Sequence, residues 1–363
     1  MPSAVDAIRS RRPAKRPVDP WRPLGHFWEE ERSPRGGTVR ALTVFLAGAE
    51  CPFTCVFCDL WRHTLDGPTP RGAIPAQLER ALGAEAHRPG PTVRAGLRRP
   101  AGDAEDADPG PGLAINPGLV IKLYNASNFF DPRAVPPEDE PRILELLDPF
   151  ARVTVECHPR LVGERCLGFA RRLRGRLEVA MGLETVHPDA FPRLHKGMEL
   201  ADFDRAAARL LRAGIGIRAF VLVGAPFVPP EESVEWAVRS TRYAFDRGAG
   251  RVSLIPVRGG NGAMEELAAR GEWTRPTLEQ LEEALERSLE AARAVMPAAT
   301  ATAAAGEGPT RSRRVVTADV WDAEAFASCR TCAGGRLERL GRMNLSGRLE
   351  PRRPCPSCGW GDR

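Results

Sequence analysis

Seven of the nine cysteines in this 363-residue chain fall into two groups whose spacing could bind metal. Cys51, Cys55 and Cys58 stand as C-x3-C-x2-C in the stretch Cys51-Pro-Phe-Thr-Cys55-Val-Phe-Cys58. Three thiolates on one short loop can hold three irons of a 4Fe–4S cube, and the fourth iron is then left without a protein ligand. A structural zinc ion wants four protein ligands, and no fourth is evident near this loop. The second group is Cys329-Arg-Thr-Cys332 and Cys355-Pro-Ser-Cys358, two C-x2-C knuckles separated by twenty-two residues. Four thiolates in two tight turns match the tetrahedral demand of a structural zinc ion, with an auxiliary iron–sulfur cluster as the alternative. A tail of under fifty residues with few apolar ones could hardly fold without such a metal.

The elements that must position these cysteines are legible as a repeating pattern. From Arg40 onward, apolar strand segments alternate with amphipathic helical ones. The strands are expected at Arg40–Ala47, Leu119–Asn125, Arg152–Cys157, Leu177–Leu183, Gly216–Val223 and Arg251–Val257. Helices are expected at Phe203–Ala213, Glu232–Phe245 and Leu278–Val295, the last opened by Pro276 and Thr277. Six such units imply parallel pairing with right-handed crossovers, hence an α/β fold of the partial (β/α)6 barrel type. In such a barrel the chemistry belongs at the carboxyl ends of the strands, and the Cys51–Cys58 loop directly follows the first. The expected organisation is an N-terminal arm, partly disordered, over residues 1–38, and a barrel over 39–296 with an inserted loop at 88–118. A linker at 297–316 and a small zinc-ribbon-like four-cysteine metal-binding module at 317–363 complete it.

The cysteine triplet, with Phe57 just before its last member, resembles the signature of the radical S-adenosylmethionine (radical SAM) superfamily. The resemblance implies that S-adenosylmethionine binds the open iron, and that an electron from the cluster splits it into methionine and a 5′-deoxyadenosyl radical. It also implies cofactor-lining positions. After the second strand, Asn125-Ala126-Ser127-Asn128 stands where relatives often carry Gly-Gly-Glu. Val155-Glu156-Cys157-His158-Pro159 on the third strand looks like the Glu-bearing segment of the coproporphyrinogen-oxidase-like branch. Alternation puts Glu156 and His158 on one face and Cys157 on the other. Gly182-Leu183-Glu184 ends the fourth strand, and Lys196-Gly197 follows twelve residues after Glu184. Asn125, Ser127, Glu156, Glu184 and Lys196 are thus the expected cofactor-binding residues; no catalyst is singled out. Asn128–Val135, Gly182–Thr185 with Lys196-Gly197, and Arg258–Glu265 continuing to Pro276 look most like the branch of the archaeosine synthase radical SAM subunit. The Elongator catalytic subunit is a more distant likeness. That branch implies a modified guanine-type base in tRNA as substrate. Arg258 and Glu265 are placed either to meet the substrate or to form a loop-stabilising ion pair.

Composition narrows the classes further. Positive charge is nearly all arginine, whereas Lys, Asn and Tyr number three, five and two. Four of those ten, Lys122, Tyr124, Asn125 and Asn128, fall within seven residues, which suggests that the segment needs those side chains. Residues 311–363 hold eleven arginines against six acids, an excess equal to the net charge of +5 of the whole chain. Such a basic tail suits an RNA backbone, or is a solvated face on a structural cap. No apolar run approaches bilayer-spanning length, and Met1–Pro20 has no apolar signal core. A reducing cytoplasm without membrane attachment is therefore expected, with a ferredoxin or flavodoxin as reductant. The rival readings are radical chemistry on a small metabolite or a protein, and a non-catalytic metal-binding adaptor.

Overall fold

One sheet of eight strands, hydrogen-bonded in sequence order, organises the chain. The computed structural model describes residues 4–86, 116–294 and 313–361. The expected insertion at 88–118 and linker at 297–316 therefore lie largely outside the described residues.

Strand β1 (Gly25–Arg32) pairs antiparallel with β2 (Thr38–Leu46). The strands β3 (Asn116–Asn125), β4 (Phe150–Glu156), β5 (Arg176–Glu184), β6 (Gly216–Val223) and β7 (Arg251–Pro256) then continue in parallel from β2. These six parallel strands are the expected barrel segments. A short β8 (Val315–Ala318) adds in parallel to β7. The helices are α1 (Ala4–Ser10), α2 (Ala73–Ala86), α3 (Glu140–Leu147), α4 (Glu164–Arg172), α5 (Ala190–Arg193), α6 (Leu200–Arg212), α7 (Ser233–Asp246), α8 (Ala263–Ala269), α9 (Leu278–Ala294) and α10 (Arg330–Ser346). Thr277 opens α9 as read from the sequence: Thr277 and Gln280 exchange backbone-to-side-chain hydrogen bonds of 2.9 and 3.2 Å. Among the described residues, no helix is long and apolar enough to cross a membrane.

Strand alternation divides the sheet into two unlike faces. Leu42, Val44, Leu46, Ile121, Leu123, Val153, Val155 and Val179 point outward into one apolar core beneath the helices. Cys157 and Cys166 lie in that core, where burial raises both thiols well above their usual range. The opposite face is charged. Glu31 on β1 pairs with Arg218 on β6 and Arg152 on β4, and lies 3.8 Å from both Lys122 and Arg251. Glu178 on β5 accepts from Thr154 at 3.0 Å, Arg251 at 2.8 Å and Arg218 at 3.2 Å. The first strand therefore meets the sixth and seventh, which requires the sheet to curl.

Two segments differ from expectation. Within the arm expected to be partly disordered, residues 4–10 are helical and residues 25–32 supply an edge strand, because Glu29 and Glu31 answer the interior cations of β3, β4, β6 and β7. The C-terminal segment does not stand apart either. Strand β8 joins the sheet, and α10 packs on both β8 and β1, covering the seam between the two sheet edges. Arg251 Nη1 donates to the Arg32 carbonyl at 2.7 Å, and the Arg313 amide to Pro34 at 2.9 Å, across the same seam.

Burial works against a charged Glu31, yet Arg218, Lys122, Arg251 and Arg152 hold its carboxyl well below the usual carboxylate range. A carboxyl so depressed stabilises the fold above its ordinary value of 4.5, and that contribution is lost as pH falls. Replacing Glu31→Gln is expected to cost about 3–5 kcal/mol at neutral pH, since it strands buried cations. Denaturant unfolding would check this; a loss under about 1 kcal/mol would contradict the assigned role.

Candidate metal centre and cofactor site

The Cys51–Cys58 loop leaves the sheet at the carboxyl end of β2 and is fixed by groups other than its thiols. Gln77 accepts from the Ala47 amide at 2.8 Å and donates to the Ala47 carbonyl at 2.9 Å. The Val56 amide donates to the Leu194 carbonyl at 3.0 Å. Asn261 Nδ2 donates to the carbonyls of Val56 and Cys58 at 2.8 and 3.1 Å, and the Trp61 indole donates to Cys58 at 3.0 Å. All three thiols are free, partly exposed, and raised by burial, Cys55 to about 12. A thiolate here therefore needs a positive partner, which is what a metal cluster supplies. Asn128 Nδ2 donates to Cys51 Sγ at 3.3 Å, while its Oδ1 accepts the His158 amide at 2.6 Å.

The expected cofactor residues gather beside this loop on the ends of β3, β4 and β5. Glu156 Oε2 accepts the Asn125 amide at 3.0 Å. Lys196 Nζ donates to Glu184 Oε1 at 2.8 Å, both side chains less than a tenth exposed. Burial opposes the Lys196 charge, but Glu184 and the thiols of Cys55 and Cys51 hold it above its ordinary value. Burial, reinforced by Glu184 and opposed by Lys196 and the Asn125 amide, pushes Glu156 up to about 8. Glu184 has a left-handed backbone with φ of 68°, and a β-carbon at Gly182 would strike its carboxylate and the Lys196 ammonium. A side chain at 182 would thus displace the charged ends of the pair from this arrangement. Phe53 stacks on His158 at 3.6 Å between ring centroids, and His158 Nε2 donates to the Lys196 carbonyl at 3.0 Å. Burial, with Lys196 nearby, lowers His158 to about 3, so it stays neutral. Asn125 Oδ1 and Ser127 Oγ are buried without a hydrogen-bond partner, so the pocket offers polar atoms to a ligand. This donor set fits a cluster on the loop and an aminoacyl-bearing cofactor beside it.

Some residues have other employment. Of the four scarce residues in one stretch, Asn125 and Asn128 reach the site, whereas Lys122 and Tyr124 belong to the interior charge network. Arg258 pairs with Asp319 at 3.1 Å and donates to the Trp321 carbonyl, and Glu265 accepts the amides of Gly260 and Gly262. Both therefore hold loops. Asn261, the brace of the cysteine loop, was not singled out from the sequence. The scarcity of asparagine in an arginine-rich chain is the signal that could have found it.

The second cysteine group also converges. The thiols of Cys329, Cys332, Cys355 and Cys358 lie within 4.8 Å of one another, the arrangement a single ion needs. The segment between the knuckles is α10 and not a hairpin: Cys329 caps it, Cys332 sits in its first turn, and Cys355–Gly359 close a tight turn. The Cys332 amide draws the Cys329 thiol down to about 6. The arginines of the basic tail are largely committed. Arg336 meets the fully buried Glu282 at 2.6 Å, Arg339 pairs with Glu282 and Glu286, Arg352 with Glu286, and Arg342 with Glu350. Arg336 and Arg339 also lie over the Trp360 ring.

Two measurements follow. Because the folded value of Glu156 is raised, the native state holds a proton that the unfolded chain has lost, and stability falls between the ordinary 4.5 and about 8. Glu156→Gln in cluster-free protein should gain on the parent by up to about 1.4 kcal/mol per pH unit through that window. A gain independent of pH would contradict this. Protein lacking the Cys51, Cys55 and Cys58 thiols should still carry one metal equivalent per chain, lost with Cys355→Ser, and metal analysis checks it.

No family model matches the chain. Sequence relatives include the archaeosine synthase β subunit of Methanosarcina acetivorans, 28% identical over 191 residues, which is 50% of this chain and 54% of the relative. The archaeosine synthase β subunit of Thermococcus kodakarensis is 28% identical over 128 residues, covering 34% of this chain and 40% of the relative. The chain thus spans about half the length of the curated relatives it matches. Among solved structures, Elp3 of Methanocaldococcus infernus aligns over 62% of this chain and 55% of its own at 14% identity, with a TM-score of 0.43. The chain thus carries a three-cysteine loop at the mouth of a partial α/β barrel and is similar in sequence, over part of its length, to the archaeosine synthase β subunits.

Proposed function

We propose that this protein is a radical SAM enzyme that acts on a nucleobase in tRNA. The observation that carries the reading is the meeting of three free thiols with the Glu156, Glu184 and Lys196 cluster at one end of the barrel. A reduced 4Fe–4S cluster bound there would supply the electron that splits S-adenosylmethionine into methionine and a 5′-deoxyadenosyl radical. Cys51, Cys55 and Cys58 are the residues that would hold it. Asn128 donates to the Cys51 sulfur and offsets its negative charge, and Asn261 keeps the loop from shifting. Lys196, held charged by Glu184, suits a carboxylate. Glu156 keeps a proton near neutral pH and can donate or accept at its carboxyl, while Asn125 Oδ1 and Ser127 Oγ are free to orient a polar ligand.

Support for a tRNA base comes from the relatives named archaeosine synthase β subunits. Their designation as subunits supports action beside a second protein. The proposal includes a ferredoxin or flavodoxin as reductant, a zinc ion at the four-cysteine site, and a cytoplasmic setting. Anaerobically reconstituted protein with dithionite and S-adenosylmethionine is expected to release 5′-deoxyadenosine, and Cys58→Ala, which removes one of the three cluster ligands, to lower the yield by about a hundredfold or more. A fully loaded parent protein that releases none would end the proposal.

A further inference from the structure

Between the N-terminal arm and the cysteine loop lies a cavity of about 720 Å³ whose lining includes Cys51 and Trp61. Four cations line it, Arg9, Arg12, Lys15 and Arg133, against two acids, Glu50 and Asp66. The acids are already shared: Arg12 meets Glu50 at 2.6 Å, and Lys15 meets Glu50 at 2.8 Å and Asp66 at 3.2 Å. Arg9 and Arg133 are exposed and have no ion-pair partner among the described residues. The Arg12 guanidinium lies 4.7 Å over the Trp61 ring, and its Nε is buried without a hydrogen-bond partner. The cavity thus carries surplus positive charge that nothing within the described chain neutralises.

Its walls are rigid. Ile8 of α1 is buried with Val56, Leu194 and Met264 in a second apolar cluster at the mouth. Arg11 Nη2 bonds Glu266 at 2.9 Å, and the Arg16 amide donates to Arg62 at 2.9 Å. Gly262, with φ of 87°, lies so close to the Arg11 carbonyl that a β-carbon would collide with it. The arm that carries Arg9, Arg12 and Lys15 is therefore clamped to the loop after β7, so its backbone is held in place before any ligand arrives.

We infer that this cavity is a phosphodiester-binding site that seats the backbone of the RNA substrate beside the cysteine loop while its target base enters the barrel mouth. This rests on the nucleobase reading above and adds where the polynucleotide is gripped. Guanidinium forks match phosphate oxygens, and a cation shelf against the loop that bears the cluster fixes the register of the strand relative to the reacting base.

The test is binding of transcribed tRNA to the full-length, cluster-loaded protein across a salt series. Arg9→Glu combined with Arg133→Glu should weaken binding about tenfold or more at about 100 mM salt, and flatten the slope of log affinity against log salt by about two. Arg9→Ala and Arg133→Ala alone should each flatten it by about one, with iron content and melting temperature unchanged. Parent-like affinity and slope in the double variant, beside a parent that binds tRNA, would overturn this site and leave the nucleobase reading standing. A parent that fails to bind tRNA at about 50 mM salt would overturn both, since phosphate contacts dominate affinity there. Unchanged RNA binding with lost reduction by flavodoxin would assign the cavity to a protein partner instead and overturn the inference.

Discussion

A carboxylate on the first strand that reaches cations on the sixth and seventh is the contact on which this architecture depends. Glu31 and Glu178 gather Lys122, Arg152, Arg218 and Arg251 inside a curled sheet whose two edge strands are β1 and β8. Taking so many charges out of water is costly, and only mutual satisfaction offsets it. The same network fills the barrel toward the amino ends of its parallel strands, away from the mouth. Phe27, Phe45, Tyr124 and Phe220 lie alongside it with ring centroids 6.0 to 6.3 Å apart. Polar ligands are left the mouth, where β2 to β5 end.

At the mouth the protein keeps its reactive groups uncommitted by assigning the structural work to others. Backbone amides, Gln77, Asn261 and Trp61 fix the cysteine loop, so it does not depend on its thiols for support, although Cys51 Sγ accepts from Asn128. The cost of burying thiols and a carboxyl then appears as raised proton affinities at Cys51, Cys55 and Glu156. Lys196 is the exception, since Glu184 meets it directly. An isolated cation among buried thiols would lose its proton, whereas the pair keeps it.

The four-cysteine group serves the barrel as much as the tail. Its two knuckles are separated by α10, which packs over the seam, and Glu282 and Glu286 of α9 tie that helix down through Arg336, Arg339 and Arg352. Asn344 on α10 completes the attachment by bonding both the amide and the carbonyl of Ala318 on β8, at 2.8 and 2.9 Å. A metal held at the first turn of α10 would therefore also help to fix the cover over the open side of the sheet. The arginines that make the tail basic act mainly as internal counterions, and the surplus cations beside the cysteine loop come from the N-terminal arm and from Arg133 after β3.

The sequence by itself determined what depends on local spacing. The alternation of apolar strand segments with amphipathic helical ones located the six barrel strands, and the interval between cysteines marked both cysteine groups, because strand geometry and thiolate spacing are short-range. It also put Cys157 on the outer face, where it is buried beside Cys166. Only the tertiary structure decided what depends on closure. Glu31 and Glu29 looked like charges in an unordered arm until curling brought β1 against β6 and β7. Asn261 lies about two hundred residues from the loop it braces, and Arg258 and Glu265 were spent on loop contacts invisible in the linear order. The arginines of the tail read as a surface patch because their acidic partners sit on α9, distant in sequence. Such pairings follow from how a curved sheet brings remote segments together, and no local pattern encodes them.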